Sequence, residues 1–253
     1  MAVAAVPRGD MVDRMTSLAV EQLRVERNGA IVVDGVGLGV DGGKWCGVIG
    51  ANGSGKTSLL RAITGRLPAA AGRLLIDGVD HAGDRAARAW RIGFAPPIET
   101  LPDALRTRDV LRLAGDTLDA AIERLGPLRS ALGIDALIDR TIGTCSAGMR
   151  QRVAIACAFV GGQDAVVLDE PFNWLDPVAA YDVRMALRQM VERGLLLVTA
   201  LHDLATLIAA CDQGLLLSDG KAALTIDTAD LVAARAAPAD FERRMIGLLR
   251  GRS

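Results

Sequence analysis

The feature that most constrains the fold of this chain is a glycine-rich loop between an apolar run and a helical run. The loop reads Gly50-Ala51-Asn52-Gly53-Ser54-Gly55-Lys56-Thr57, after apolar residues 46–49 and before Ser58-Leu59-Leu60. Glycines let successive backbone N–H groups point inward, and the N-terminus of the following helix adds positive potential. This pattern predicts a phosphate-binding loop rather than a chance glycine-rich turn. We therefore expect a nucleoside triphosphate site here.

Two polar side chains of this loop are expected to contact the phosphates and their metal ion. Lys56 bridges the outer phosphates as a point charge, and the hydroxyl of Thr57 binds a magnesium ion. The residues that we expect to bind the nucleotide are Gly50, Asn52, Gly53, Ser54, Gly55, Lys56, Thr57 and Ser58.

Composition and charge argue against several classes of protein. The 253 residues suffice for one large α/β domain or two small ones. The longest charge-free run, residues 153–163, is far shorter than the roughly 18 residues that indicate a membrane span. A net charge of −1 and 3% aromatic residues argue against nucleic-acid binding. No signal-peptide pattern is present, and the cysteines lack metal or disulfide spacing, which favours a reducing cytoplasm.

The pattern before and just after the loop predicts short strands. Residues 18–27 are followed by Asn28-Gly29, which is a hairpin signal, and valine and leucine alternate with glycine over residues 36–40. Residues 73–76 and 91–95 are two further candidate strands. Residues 1–16 show no period and are interpreted as a loose arm, so the single domain is expected to cover residues 17–253.

The second half of the chain predicts helices and buried strands. Residues 98–148 are interpreted as a helical subdomain, followed by a helix over 149–160. Apolar runs at 165–168, 195–198 and 215–217 are separated by helical stretches at 177–193 and 203–211, and residues 229–253 are expected to be helical. The alternation predicts a parallel sheet, so the fold is α/β with a mixed central sheet, an antiparallel β subdomain and a helical subdomain.

Two adjacent carboxylates, Asp169 and Glu170, follow the apolar run 165–168. Successive strand residues face opposite sides, so the two acids are not expected to share a role. Asp169 suits a magnesium ion, directly or through water, and Glu170 suits orienting or deprotonating an attacking water. A surface acid pair that ends a strand is the alternative.

Two further candidate residues are Ser146, which precedes these carboxylates in the sequence, and His202, which follows them. Ser146, in the run 145–152, stands at an N-cap position, and the start of that helix predicts a second anion site. His202 follows the run 195–198, although a lone histidine is more often structural.

In this order, the phosphate loop, residues 145–152, the acid pair and His202 resemble the ATP-binding subunits of ABC transporters, over about residues 17–225. The resemblance implies a P-loop NTPase cassette that forms a head-to-tail homodimer or heterodimer around two ATP molecules and Mg²⁺. It implies Glu170 as catalytic base, with Lys56 and His202 contacting the γ-phosphate. Ser146 and Gly148 would contact the γ-phosphate bound by the opposite subunit, and Asp176 of residues 173–176 would lie at the dimer seam.

The chain departs from the family pattern at three places. Cys145, Ala147 and Met149 replace a leucine, a glycine and a glutamine, and the resulting signature is more similar to simple exporter-type ATPases. Pro97 replaces a glutamine that helps to hold magnesium, and Glu99 is a candidate substitute. Arg27 replaces an aromatic residue that stacks on adenine, a role that a guanidinium plane also suits. Trp45 is interpreted as a packing residue and His81 as structural.

The first functional hypothesis is a cytoplasmic ATPase subunit attached to the inner face of the membrane through an integral membrane transporter subunit. Active hydrolysis is expected because Lys56, Thr57, Asp169, Glu170 and His202 are all present. Export is favoured over import, and docking is expected at the helical subdomain. The alternative is a soluble non-transport ABC-type ATPase in regulation, translation or DNA maintenance. A phosphate-loop kinase or GTPase is disfavoured, because the base-selecting Asn-Lys-x-Asp run is missing.

Overall fold

The computed structural model describes residues 17–250, and only the backbone of residues 249 and 250. The expected loose arm at residues 1–16 therefore lies outside the described residues. So does the end of the predicted C-terminal helical region, residues 251–253.

The first of two sheets is antiparallel and forms from the strands that flank the phosphate loop. Its strands are β1 Ser17–Arg27, β2 Ala30–Asp41, β4 Ala71–Ile76 and β5 Val79–Asp80, in the order β2-β1-β4-β5. Asn28 and Gly29 turn the chain between the first two strands with positive φ angles of 52° and 77°. The hairpin predicted at this pair is thus confirmed, whereas β5 was not predicted.

The second sheet is mixed and carries the phosphate loop. Its strands are β3 Trp45–Ile49, β6 Ile92–Phe94, β7 Ala165–Asp169, β8 Leu196–Leu201, β9 Gln213–Ser218 and β10 Lys221–Ile226. The order is β10-β9-β3-β8-β7-β6, and every neighbouring pair is parallel except β10 with β9. This confirms the mixed central sheet beside an antiparallel one.

Eleven α-helices complete the described part of the chain. They are α1 Lys56–Ile63, α2 Arg85–Arg91, α3 Thr107–Ala114, α4 Leu118–Leu125, α5 Leu128–Ala131, α6 Ile134–Leu137, α7 Ala147–Cys157, α8 Pro177–Glu192, α9 Leu204–Ala210, α10 Thr228–Ala236 and α11 Pro238–Arg250. Two 3-10 turns lie at Ile98–Thr100 and Ile142–Thr144. Helices α3 to α6 form within the segment where the sequence predicts a helical subdomain.

The helix predicted over residues 149–160 was wrong at both ends. Helix α7 starts at Ala147, because the Ser146 side chain caps it by accepting the N–H of Met149 at 3.3 Å. It stops at Cys157, because the next two N–H groups bond carbonyls only three residues back, which tightens the chain into a turn.

The central sheet is buried on both faces, and β3 shows how its residues divide. Trp45 and Ile49 pack on the face covered by α7, α8 and α9, within a cluster of buried residues that includes Leu168 and Leu197. Cys46 and Val48 pack on the other face, with α1 and the antiparallel sheet. Strand β3 thus joins the two apolar cores and fixes the start of the phosphate loop between them.

Trp45 is a packing residue, as the sequence analysis predicts. Its side chain is fully buried, and its indole Nε1 donates a hydrogen bond of 2.8 Å to Thr199 Oγ1 on the neighbouring strand β8. A buried indole N–H with a partner avoids the cost of an unpaired donor.

We expect Trp45→Phe to lower the free energy of unfolding by about 2 kcal/mol, because it leaves a void and an unpaired Thr199 hydroxyl. Urea denaturation followed by far-UV circular dichroism measures the change. The matched control is Trp90→Phe on an indole that is 61% exposed, for which we expect a change below about 0.5 kcal/mol. Equal losses in the two variants would contradict the packing role.

Candidate active site

The phosphate loop is packed, backbone to backbone, against the end of β9 and the turn that joins it to β10. A Cβ atom on Gly50 would lie 2.2 Å from the carbonyl oxygen of Leu217, so no larger residue fits there. The N–H of Gly220 donates to the carbonyl of Ser54 at 3.0 Å. Gly55 caps helix α1 with a left-handed φ of 102°. The loop is thus held at both ends.

Two side chains of the loop face inward. Lys56 is buried, and its Nζ donates to the carbonyls of Gly50 at 2.8 Å and Ala51 at 3.2 Å. Among the described residues, Ser54 Oγ is buried and has no hydrogen-bond partner. A buried hydroxyl without a partner is unfavourable in the protein alone and suits an atom that contacts a ligand.

Asp169 and Thr57 meet beside the loop, as the sequence predicts for a magnesium site. Burial raises the pKa of the Asp169 carboxyl, and a hydrogen bond from the Thr57 side chain opposes that shift. Asp169 Oδ1 is buried without a partner within residues 17–250. A carboxylate and a hydroxyl are oxygen ligands that fit Mg²⁺. Residues 17–250 include no cluster of three or more acidic, histidine or cysteine side chains that could hold a metal ion.

Glu170 and His202 lie side by side at the ends of neighbouring strands β7 and β8. Oε2 of Glu170 lies 2.6 Å from Nε2 of His202. Glu170 has a positive φ of 52°, so the chain leaves the strand direction at this residue, immediately after Asp169. The separate directions of the two carboxylates therefore come from a turn as well as from strand alternation.

The sequence interpretation missed Asn173, a third member of this group. Its Nδ2 donates to Glu170 Oε2 at 2.9 Å and lies 3.3 Å from His202 Nε2. The sequence does contain an indication, because Asn173 lies three residues after Glu170 and a tight turn brings residues at this spacing together.

A cleft of about 410 Å³ opens on the phosphate loop. It is lined by Arg27, Val32, Asn52, Gly53, Gly55, Lys56, Thr57, Ser58 and Glu170. The structure therefore brings Arg27, from the end of β1, to the same cleft as the loop and the expected catalytic base. The size is typical of a small-molecule site.

Ser146 and Gly148, at the start of α7, are not among the residues that line this cleft. Both have contacts within their own chain. Ser146 caps α7, and a Cβ atom on Gly148 would lie 2.6 Å from the carbonyl oxygen of Trp174. Gln151, buried on the same helix, donates to the carbonyl of Pro171 at 3.1 Å. Helix α7 is thereby bound to the turn that carries Glu170.

Asp176 and the Pro97 segment also lie outside the cleft lining. Asp176 caps α8 by accepting the N–H groups of Val178 and Ala179, and these bonds, led by that of Ala179, lower the pKa of its carboxyl. Its position at a dimer seam stays a prediction. Pro97 precedes the 3-10 turn Ile98–Thr100, where Glu99 is exposed, so the substitution of Glu99 for a glutamine also stays a prediction.

We expect Gly148→Ala to lower the free energy of unfolding by about 1–2 kcal/mol, because the new methyl group forces α7 away from the Trp174 carbonyl. The control is Gly39→Ala, an exposed strand position where an added Cβ meets nothing within 4 Å. Thermal unfolding of both variants checks the expectation. A Gly148 variant as stable as the control would show that the close contact is absent.

Comparisons with known proteins agree with this geometry. The family model described as "ABC transporter" matches residues 33–173. The hemin import ATP-binding protein HmuV of Pseudomonas fluorescens is 34% identical over 216 residues, which cover 81% of this chain and 84% of that protein. The lipopolysaccharide export system ATP-binding protein LptB of Escherichia coli K12 is 30% identical over 217 residues, or 81% of this chain and 88% of that protein. A solved ATP-binding subunit of an ABC transporter superposes with a TM-score of 0.78 at 25% identity, covering 90% of this chain and 99% of that one.

Proposed function

This chain belongs to the ABC transporter family as an ATP-binding subunit, and from that premise we propose that it hydrolyses ATP to power a separate membrane-spanning subunit. The observation that carries the proposal is the position of Glu170, which lines the phosphate-loop cleft and contacts His202 at 2.6 Å. A carboxylate in that position suits the orientation and deprotonation of an attacking water.

The roles that we propose follow from the contacts of each side chain. Lys56 and the N–H groups of the loop hold the phosphates, and Glu170 activates the water. Thr57 and Asp169 would hold a magnesium ion, which supplies neutralisation of the phosphate charge. The guanidinium of Arg27, on the cleft wall, stacks on the adenine ring.

We further propose that the active unit contains two such chains, as a homodimer or a heterodimer. Ser146 and Gly148 do not line the cleft of their own chain, which supports a signature segment that contacts the nucleotide bound by a second chain. The start of α7 is suited to that contact, because its first N–H groups and the Ser146 hydroxyl form an anion site.

The partner in the membrane is proposed to dock at a groove of about 360 Å³ between the central sheet and the helical segment. Its walls include Phe94, the last residue of β6, and Pro96, which follows it. They also include Leu101 and, on α3, Leu113. Leu113 is 74% exposed, so its side chain is accessible to a partner. No helix within residues 17–250 is long and apolar enough to cross a bilayer.

We propose export as the direction of transport and the cytoplasmic face of the membrane as the location. The run Ser146-Ala147-Gly148-Met149-Arg150-Gln151 supports export through its likeness to exporter-type signatures. The relatives include one ATPase named for import and one named for export. Identifying the membrane protein that co-purifies with the tagged chain, and assaying transport in vesicles, tests both proposals. Co-purification of ribosomal or DNA-repair proteins instead would favour the non-transport alternative.

We expect magnesium-dependent ATP hydrolysis that Glu170→Gln lowers by at least about 100-fold, because the water then lacks its base. The same variant is expected to bind ATP and to elute as a dimer on a sizing column. Hydrolysis is measured with and without the co-purified membrane subunit. Wild-type turnover no higher than that of Glu170→Gln would overturn the catalytic proposal, and a monomer at saturating ATP would overturn the homodimer.

We expect Leu113→Asp to abolish co-purification of the membrane subunit, because the new charge must be desolvated on docking. ATP affinity of the free chain is expected to stay unchanged, since Leu113 does not line the nucleotide cleft. Val232→Asp, on exposed Val232 of α10, is the control and is expected to retain the partner. Retention by both variants would place the docking surface elsewhere.

A further inference from the structure

The carboxylate of Glu170 is held at one oxygen by two donors. Nε2 of His202 lies 2.6 Å from Oε2, and Nδ2 of Asn173 lies 2.9 Å from the same atom. The two nitrogens are 3.3 Å apart because they approach a common acceptor. Both contacts leave the second carboxylate oxygen, Oε1, to accept a hydrogen bond from water.

The two donors differ in what else they must do during turnover. His202 can carry only one hydrogen at Nε2, and a hydrogen given to a γ-phosphate is no longer given to Glu170. Asn173 has two amide hydrogens and lies on the turn three residues after Glu170. When His202 serves the phosphate, Asn173 is therefore the donor that still holds Oε2.

The turn that carries Asn173 is fixed by independent contacts. The N–H of Asn173 donates to the carbonyl of Glu170 at 3.2 Å. Glu170, the acceptor of this bond, and Trp174, which follows Asn173, have left-handed φ angles of 52° and 66°. Bulky residues adopt such angles only where the surroundings impose them. The buried amide of Gln151 binds the carbonyl of Pro171 between them. Asn173 is thus a rigidly placed donor.

We propose that Asn173 is a positioning residue, whose amide keeps Glu170 aimed at the attacking water when His202 contacts the γ-phosphate. The inference rests on the proposed ATP hydrolysis and names a further residue for that reaction. Its basis in this chain is a side chain that reaches Oε2 from the turn and presents its amide nitrogen, a donor, to that oxygen.

The decisive comparison is between Asn173→Ala and Asn173→Asp. Alanine removes the donor, and we expect kcat to fall about tenfold with KM for ATP unchanged. Aspartate has the shape of asparagine but turns a donor into a like charge beside Glu170, so we expect a fall of about 100-fold. A residue that served only packing would show the reverse order, because the isosteric aspartate fills the same space.

Gln189→Glu, on the exposed face of α8, is the control for one added negative charge, and its kcat is expected to equal that of the wild type. Equal kcat in wild type and Asn173→Ala, or a milder effect of Asn173→Asp, would overturn the inference while leaving the proposed hydrolysis intact.

Crystal structures of the wild type and of Asn173→Ala give a readout that does not depend on turnover. We expect the Glu170 side chain to be ordered in the wild type and to lose its single rotamer in the variant, above all with a bound ATP analogue. An ordered Glu170 in both would overturn the positioning role. Absence of hydrolysis by the wild type would overturn the proposed function alone, and the two crystal structures would still decide on Asn173.

Discussion

The site depends on one structural constraint, the convergence of parallel strands at a single edge of the central sheet. The phosphate loop follows β3, Asp169 ends β7 and His202 follows β8, and these three strands are neighbours in the sheet. The loop is then held in place because the backbone of Gly50 packs against the carbonyl of Leu217. Two apolar cores, one on each face of the sheet, keep the strands in register. The site residues are therefore positioned by the buried apolar side chains that pack on both faces of the sheet, beneath the cleft.

The turn at residues 170–176 links this edge to the rest of the molecule. It contains two residues with left-handed backbones, each of which costs of order 1–3 kcal/mol and persists because neighbouring contacts impose it. Gln151 ties the turn to α7, and Asp176 caps α8 while its other oxygen meets Arg152 of α7 at 3.2 Å. Helix α7 is thereby joined by two side chains to the turn that begins at Glu170, through the Pro171 carbonyl and the Asp176 carboxylate. This arrangement connects the proposed partner-facing helix to the proposed catalytic base.

The parts of the fold that were predictable are those with a strong local pattern. Buried parallel strands appear as short apolar runs, and Asn28-Gly29 marks its hairpin. Strand β10 was not predicted because it is a mostly exposed edge strand. Helix α2 was not predicted because its arginines obscure the apolar period. The sequence motifs identified Asp169, Glu170 and His202 as candidate site residues. The proposed role of Asn173 instead depends on the left-handed φ angles of Glu170 and Trp174, which are not glycines. Those angles are set by tertiary contacts, so local propensity could not predict them.

In the signature segment, residues 145–152, the departures from the family pattern are compatible with an anion site at the start of α7. Ser146 accepts the backbone N–H of Met149, so residue 149 contributes through its main chain and its side chain is free to vary. The same bond uses a lone pair of the serine oxygen and leaves the hydroxyl hydrogen to donate outward, so capping the helix and binding a phosphate are not in competition. Gly148 is constrained by the Trp174 carbonyl, whereas the Cβ of Ala147 at the first helical position is accommodated without loss of the cap. Residues 147 and 149, which differ from the family pattern, thus serve the helix start through their main chain, whereas the serine and the second glycine of the pattern are retained at 146 and 148.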